Sequence, residues 1–170
     1  MKPKWWNKSR SYLIKKDKVI SKLIRSYKGH LTTRNNFFYS LTRSIISQQI
    51  SVAAADSVFS KFQKKCKNKI NPKTVQKLSI QDLKKCGLSK MKAIGIKSLA
   101  QKILNKSFNP KLISKMTDEE AINYLSSLRQ IGRWSAEMVL IFFYNRPNIW
   151  PVQDIGLLRA ISNNYKKKYL

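Results

Sequence analysis

Apolar residues recur at the spacing of an α-helix through most of the chain, most clearly between residues 117 and 144. They fall on one helical face before a short turn and again after it; they are Ala121, Leu125 and Leu128, then Ala136, Val139, Leu140 and Phe143. Thr117 with Glu120 is a capping box that begins the first helix. The pattern predicts two helices joined by a tight turn. Such a turn is either an ordinary hairpin in a core or, because it exposes backbone N–H groups, a binding site for a phosphate.

The same periodicity predicts helices along most of the chain. Phe38, Leu41 and Ile45 mark a helix that ends near Gln48 and Gln49. Ser51 and Ser89 are predicted caps, and a helix between them is expected to end at Gly87. The stripes that follow these caps are Ala55, Val58, Phe59 and Phe62, then Ile96, Leu99, Ala100 and Ile103. Apart from a short piece within the first forty residues, no alternating pattern indicates a strand, so the predicted class is all-α.

Asp154 differs from the other acidic residues of the chain. It lies between Trp150-Pro-Val-Gln and Ile155-Gly-Leu-Leu158, where it is the lone acid among apolar neighbours. Burial of an unpaired carboxylate is costly, so Asp154 is a helix N-cap, a functional group, or both. Glu137, within the second hairpin helix, is expected to face solvent or to form a salt bridge.

The charge of the chain narrows the class of partner. There are 35 Lys and Arg against 8 Asp and Glu, a formal net charge of +27. Such a surface favours a polyanion, and nucleic acid is the leading candidate. Association with a ribosome or a membrane surface, or the Lys/Asn-rich drift of an AT-rich genome, are the alternatives. A basic RNA-binding tail would be low in apolar residues, whereas this chain is 42% hydrophobic with helical periodicity.

The length and cysteine content of the chain limit the number of domains and the kinds of metal site that it can have. The 170 residues allow one domain, or two small lobes that share a core. No apolar run approaches membrane-spanning length, and the N-terminus lacks the pattern of a signal peptide. Cys66 and Cys86 have no C-x-x-C partner, so we expect reduced thiols rather than a zinc or iron–sulfur site. The expectation is a cytoplasmic monomer without a cofactor or a membrane partner.

Four sequence blocks together resemble the helix–hairpin–helix DNA glycosylase superfamily, in particular its 3-methyladenine (alkylpurine) branch. They occur in the family's order and cover most of the chain from about Tyr12; they are Ile45-Ile-Ser-Gln-Gln-Ile-Ser51 with Ala53 to Ala55, Gly87-Leu-Ser-Lys-Met-Lys-Ala93, Ile131-Gly-Arg-Trp-Ser-Ala-Glu-Met138 and Pro151-Val-Gln-Asp-Ile-Gly156. The resemblance implies one helical glycosylase domain over residues 1–170, with two small lobes flanking a DNA- and base-binding cleft. The helix–hairpin–helix would span about 117–144 and the catalytic loop 147–156.

The resemblance also implies roles for individual residues. Asp154 matches the essential aspartate of the superfamily. The hairpin whose amides hold a DNA phosphate, often with a monovalent cation on its carbonyls, matches Gln130, Ile131, Gly132 and Arg133. No metal held by side chains is expected. Trp134 stands where bifunctional glycosylase/lyase members have a Schiff-base lysine, and an indole cannot form that adduct, so the resemblance implies a monofunctional enzyme that uses water.

The remaining site residues implied by the resemblance concern the duplex and the flipped base. Gln49 falls in the turn that enters the duplex as a wedge, and packing between helices is a comparable role for Gln48 and Gln49. An alkylated purine is cationic and favours aromatic contacts, for which Trp134 is the first candidate. Tyr39 and Trp150 follow, each with core packing as the stronger alternative. The implied substrate is double-stranded DNA with a damaged base; 3-methyladenine, 7-methylguanine, 1-methyladenine and hypoxanthine all stay open.

Two features depart from the family pattern. The hairpin normally reads Gly-x-Gly, and Gln130 replaces the first glycine, at a cost on the order of 1 kcal/mol if its φ is positive. The chain also ends 16 residues beyond Asp154, so we expect a C-terminus that is short for the family. These departures keep a non-catalytic helix–hairpin–helix DNA-binding protein open as the alternative function. A basic RNA- or ribosome-associated protein is the third alternative, and the helical periodicity around the hairpin argues against it.

Overall fold

Helices account for all the regular structure in the computed structural model, which describes residues 2–167. In chain order they are α1 Trp6–Lys16, α2 Lys18–Ser26, α3 Phe37–Ser47, α4 Val52–Lys65, α5 Pro72–Gln76, α6 Ile80–Lys85, α7 Lys90–Leu104, a 3-10 helix Pro110–Lys115, α8 Asp118–Ser126, α9 Arg133–Phe142 and α10 Ile155–Tyr165. The all-α class is confirmed. The short strand expected within the first forty residues is wrong, because α1 and α2 occupy that part of the chain and no strand occurs within residues 2–167.

Local capping explains where several helices begin. The Ser51 hydroxyl accepts the Ala54 N–H at the start of α4, and the Ser89 hydroxyl accepts the Lys92 N–H at the start of α7. Thr117 and Glu120 form the predicted capping box of α8. Gly87 follows α6 with a φ of +98°, a conformation that glycine adopts without strain. These predicted helix boundaries are confirmed.

The predicted apolar stripes meet in one core. α3 packs against α4, α7 and α9, and α8 packs against α9. The hairpin stripe is buried on both sides of the turn, except that Phe143 is only partly buried against the core. Helical periodicity alone therefore located the inner face of the hairpin, and this face anchors the turn between α8 and α9.

The N-terminal helices attach to the rest of the molecule through polar contacts. The indole N–H of Trp5 donates to the carbonyl of Asn145 at 2.8 Å. The Tyr165 hydroxyl donates to the Asp17 carboxylate at 2.6 Å, and Asp17 also caps α2. Residues far apart in sequence thus join α1 and α2 to α10 and to the loop that follows α9.

Both cysteines are free and buried. Burial raises the pKa of the Cys66 thiol to about 11, so the reactive thiolate is scarce at neutral pH. Among residues 2–167 no helix has the length and apolarity needed to cross a lipid bilayer.

Candidate active site

Asp154 is the N-cap of α10, and both of its carboxylate oxygens accept hydrogen bonds. Oδ1 accepts the backbone N–H of Leu157 at 2.7 Å, as a capping aspartate does. Oδ2 accepts the indole N–H of Trp134 at 2.8 Å. Of the two roles that the sequence leaves open for Asp154, the cap is confirmed, and the second contact ties the carboxylate to the beginning of α9.

These donors keep Asp154 ionised. The backbone hydrogen bond from Leu157 lowers the pKa of the carboxyl most and the indole of Trp134 lowers it further, while partial burial raises it by less than either. The carboxylate is therefore charged at neutral pH. It retains unused lone pairs and can stabilise a nearby cation or accept a proton from water.

The other seven acidic residues within the described part of the chain serve as caps or as ion-pair partners. Asp17 caps α2; the others are Asp56 with Arg43, Asp82 with Lys65, Asp118 with Arg146, Glu119 with Arg133, Glu120 in its capping box, and Glu137 with Arg133. Glu137 is 3% exposed and lies 3.2 Å from the Arg133 guanidinium. The expected salt bridge is thus present, whereas the outward-facing alternative is wrong, because this helix face packs inward.

The hairpin turn presents backbone amides at the beginning of α9. Ile131 is buried and anchors the turn, while Gly132 is exposed and has extended backbone at φ −88°. No side chain caps α9 at Gly132. The side chain of Arg133 is engaged by Glu119 and Glu137, so what Arg133 offers to a ligand is its backbone N–H. An uncapped helix N-terminus of this kind favours an anion.

Two polar side chains fix the end of α3, Gln48 by joining it to the hairpin and Lys92 by joining it to α7. The Gln48 amide donates to the Gln130 carbonyl at 2.9 Å and to the Ser135 hydroxyl at 3.2 Å. The Lys92 ammonium donates to the carbonyls of Ile46 at 2.8 Å and Gln48 at 2.6 Å, and burial lowers its pKa. Gln48 therefore has the packing role that the sequence allowed. Sequence reasoning missed Lys92, since nothing in its local pattern separates it from the other lysines.

A cleft of about 660 Å³ lies between α3, α7 and the hairpin. Gln49, Gln130, Gly132 and Trp134 line it together with Lys92. Gln49 is exposed there with a φ of +56°. The predicted wedge and hairpin residues thus share one surface.

The other two predicted base contacts do not line this cleft. Tyr39 packs edge-on against Phe59 with ring centroids 5.2 Å apart, and Trp150 is 61% exposed. Trp134 is 40% exposed, and its indole N–H donates a hydrogen bond to Asp154. Core packing is confirmed for Tyr39 and wrong for Trp150, which is largely exposed; a stacking role for either residue stays a prediction.

Gln130 has a φ of +69°, so it occupies the left-handed region, in which a glycine would be unstrained and the cost expected for glutamine applies. Its side chain lies over Gly95 of α7. A Cβ added to Gly95 would stand 2.7 Å from the Gln130 Cγ and 3.3 Å from the Arg129 carbonyl oxygen. The absence of a side chain at position 95 therefore makes room for the glutamine that replaces the glycine of the hairpin.

Gly95→Ala is expected to destabilise the fold by about 1–3 kcal/mol through overpacking, despite the higher helix propensity of alanine. In a Gln130→Gly background the same change should cost less, because the nearest clash is gone. Urea unfolding followed by circular dichroism measures the four free energies of the double-mutant cycle. We expect a coupling of at least about 0.5 kcal/mol. Additive effects would show that the two positions do not accommodate each other.

The hairpin carbonyls have the chemistry that the implied monovalent cation requires. The Leu128 carbonyl accepts the Ile131 N–H at 3.1 Å, and the Gln130 carbonyl accepts the Gln48 amide at 2.9 Å. A carbonyl oxygen has a second lone pair, so each retains an acceptor for a cation. Within residues 2–167 no group of three or more His, Cys, Asp or Glu side chains is placed to hold a metal ion.

Residues 42–168 match the family described as HhH-GPD superfamily base excision DNA repair protein. The chain belongs to this superfamily. It is 35% identical over 124 residues to the alkylbase DNA glycosidase-like protein mag2 of Schizosaccharomyces pombe, an alignment that covers 71% of this chain and 58% of that protein. It is 29% identical over 153 residues to DNA-3-methyladenine glycosylase 1 of the same yeast, with coverage of 88% of this chain and 65% of the relative.

The fold comparison agrees with the sequence comparison. The crystal structure of DNA-3-methyladenine glycosidase from Bacillus halodurans superposes with a TM-score of 0.78 at 25% identity, covering 90% of this chain and 71% of that one. The chain spans 58% and 65% of the lengths of the two yeast relatives.

Proposed function

We propose that the protein is a monofunctional DNA glycosylase that hydrolyses the N-glycosidic bond of alkylated purines in base excision repair. The observation that carries this proposal is the ionised Asp154 carboxylate, held between the beginning of α10 and the indole of Trp134. The names of the relatives, an alkylbase DNA glycosidase-like protein and a DNA-3-methyladenine glycosylase, support the same reaction. Capping of α10 by itself accounts only for the contact of Oδ1 with Leu157, and the second contact, from Trp134, holds the charged group beside the hairpin.

The chemistry follows from the position of one carboxylate. A base inside a duplex must be extruded before it can be cleaved, which costs a few kcal/mol and less for a damaged pair. Departure of the base leaves an oxocarbenium-like sugar, which a carboxylate stabilises while it orients or deprotonates the attacking water. An N3- or N7-alkylated purine is already cationic and leaves without strong acid assistance, so a single carboxylate suffices.

The proposed substrate is double-stranded DNA, which the basic surface attracts and the hairpin positions. A net charge of +27 supports strong, salt-dependent attraction to any duplex. The open amides at Gly132 and Arg133 then offer a phosphate a contact of defined geometry. Gln49 is exposed and lines the cleft between α3, α7 and the hairpin, which supports its proposed role as the wedge that enters the duplex.

Single-turnover excision assays test the proposal. Duplexes that carry 3-methyladenine, 7-methylguanine, 1-methyladenine or hypoxanthine are each incubated with excess protein, and release of the free base is followed. We expect release from at least one alkylated purine and none from undamaged DNA. Binding of all duplexes without release of any base would favour the non-catalytic alternative.

The product distinguishes the two kinds of glycosylase. Because Trp134 occupies the position of the Schiff-base lysine, we expect an intact abasic site and no adduct trapped by borohydride. Gel analysis before and after alkali treatment measures this, with a bifunctional glycosylase as the positive control. Direct strand nicking by the purified protein would contradict the monofunctional assignment.

The redox state of the two cysteines supports a proposal for the cellular location of the protein. Both cysteines are unpaired, which is usual in a reducing compartment, and this supports the cytoplasm as the proposed location.

A further inference from the structure

α10 carries Asp154 at its beginning yet has little apolar anchorage. None of its residues from Ile155 to Tyr165 is fully buried, and Ile155 is 57% exposed. Its far end is held by the hydrogen bond from Tyr165 to Asp17, and its near end by the hydrogen bond from Trp134 to Asp154. The location of the carboxylate thus depends on directional polar contacts more than on burial.

The two hydrogen-bond donors to Asp154 fix its carboxylate relative to different helices. The Leu157 N–H belongs to α10 itself, so this bond orients the carboxylate only relative to its own helix. The Trp134 N–H comes from α9, two positions beyond Gly132, and joins elements 20 residues apart in sequence. The bond from Trp134 therefore sets the carboxylate relative to the hairpin turn and to any phosphate bound there.

We infer that Trp134 is a positioning residue for the proposed reaction, whose indole N–H holds the Asp154 carboxylate in register with the DNA-binding hairpin. The inference rests on the proposed function and goes beyond it, because it gives the tryptophan a role other than stacking on a base. The residue that stands in the place of a lysine nucleophile acts as a hydrogen-bond donor to the catalytic carboxylate.

The surrounding charges do not compete with this contact. The charged side chains of α9 are Arg133 and Glu137, which pair with each other, and α10 contributes Arg159. In the loop between these helices Arg146 pairs with Asp118. None of these charges shifts the pKa of Asp154, which hydrogen bonds lower and partial burial raises. Loss of the indole donor should therefore raise the pKa of this carboxyl.

Trp134→Phe tests the inference by removing the donor and keeping an aromatic ring. We expect kcat for base excision to fall about 10- to 100-fold, as for the loss of a hydrogen bond to a charged group, with little change in KM. The acid limb of the kcat profile should move to higher pH, because a donor that favours the ionised carboxylate is gone. Trp6→Phe, in α1, is the control for loss of an indole and should keep the parental kcat and pH dependence.

An isostere separates the hydrogen bond from the ring. Benzothienylalanine at position 134 preserves the bicyclic ring but has sulfur in place of the N–H, and we expect the same loss as with phenylalanine. Parental kcat and pH dependence with this isostere would overturn the inference and leave stacking as the role of Trp134. Circular dichroism establishes that each variant is folded.

A readout without substrate distinguishes failure of the inference from failure of the proposed function. In the free protein the indole ¹H–¹⁵N resonance of Trp134 should titrate with the Asp154 carboxyl, and this response should vanish in Asp154→Asn. If the chemical shift of the Trp134 indole does not change as the pH is lowered, the inference is overturned, even in an active enzyme. A titrating indole in a protein that releases no base would support the contact and overturn the proposed function instead.

Discussion

Asp154→Asn is expected to abolish base excision while DNA binding stays intact or becomes tighter. The asparagine oxygen can still accept the Leu157 N–H, so the cap of α10 is preserved. The negative charge that stabilises the sugar cation and activates water is lost, and so is a repulsion toward DNA phosphate. We expect the single-turnover rate to fall about 10³-fold or more. Fluorescence anisotropy with a lesion-bearing duplex measures binding of the same variant.

Asp56→Asn is the matched control. It removes a carboxylate from an exposed ion pair with Arg43, which contributes little to stability. We expect excision by this variant to match the parent. Excision by Asp154→Asn at close to the parental rate would show that another group performs the chemistry, and the assignment of the active site would be wrong.

Gly132→Pro is expected to reduce excision strongly while much of the low-salt binding survives. The substitution removes one backbone donor from the open end of α9, and the observed φ of −88° lies near the range of proline. A lost hydrogen bond to a phosphate corresponds to a fall of about 10- to 100-fold in excision at physiological salt. Because no charge is removed, the salt dependence of non-specific binding should keep its slope.

Gly132→Ala provides the matched control, since it keeps the backbone N–H. A Cβ at this position meets nothing within 4 Å, so alanine fits without displacing a neighbour. Circular dichroism must show that both variants retain the parental helix content. A folded Gly132→Pro variant that excises bases as fast as Gly132→Ala would mean that the turn is only a structural hairpin.

Local sequence determined most of the helical fold. The caps at Ser51, Ser89 and Thr117 are decided within one helical turn, because a side-chain oxygen and a backbone N–H three residues later are all that a cap requires. The buried stripes followed from the 3.6-residue period, which does not depend on what covers the stripe. Capping is one of the two roles that the local sequence allows for Asp154, for the same reason, and the structure shows it. Within the first forty residues, α1 carries no clear periodic signal, since it exposes apolar residues such as Tyr12 and Leu13 and has no buried stripe.

Only the tertiary structure decided which polar groups meet. Gln48 reaches the Gln130 carbonyl across 82 residues of sequence, and Lys92 reaches the carbonyl of Gln48 across 44. The room for Gln130 comes from Gly95 on another helix. Nothing local marks the Trp134 indole as a partner of Asp154, because that contact exists only once α9 and α10 are packed at their observed distance. Periodicity specifies which face of a helix is buried, whereas hydrogen-bond partners depend on the relative placement of helices, which the packing of the whole core sets.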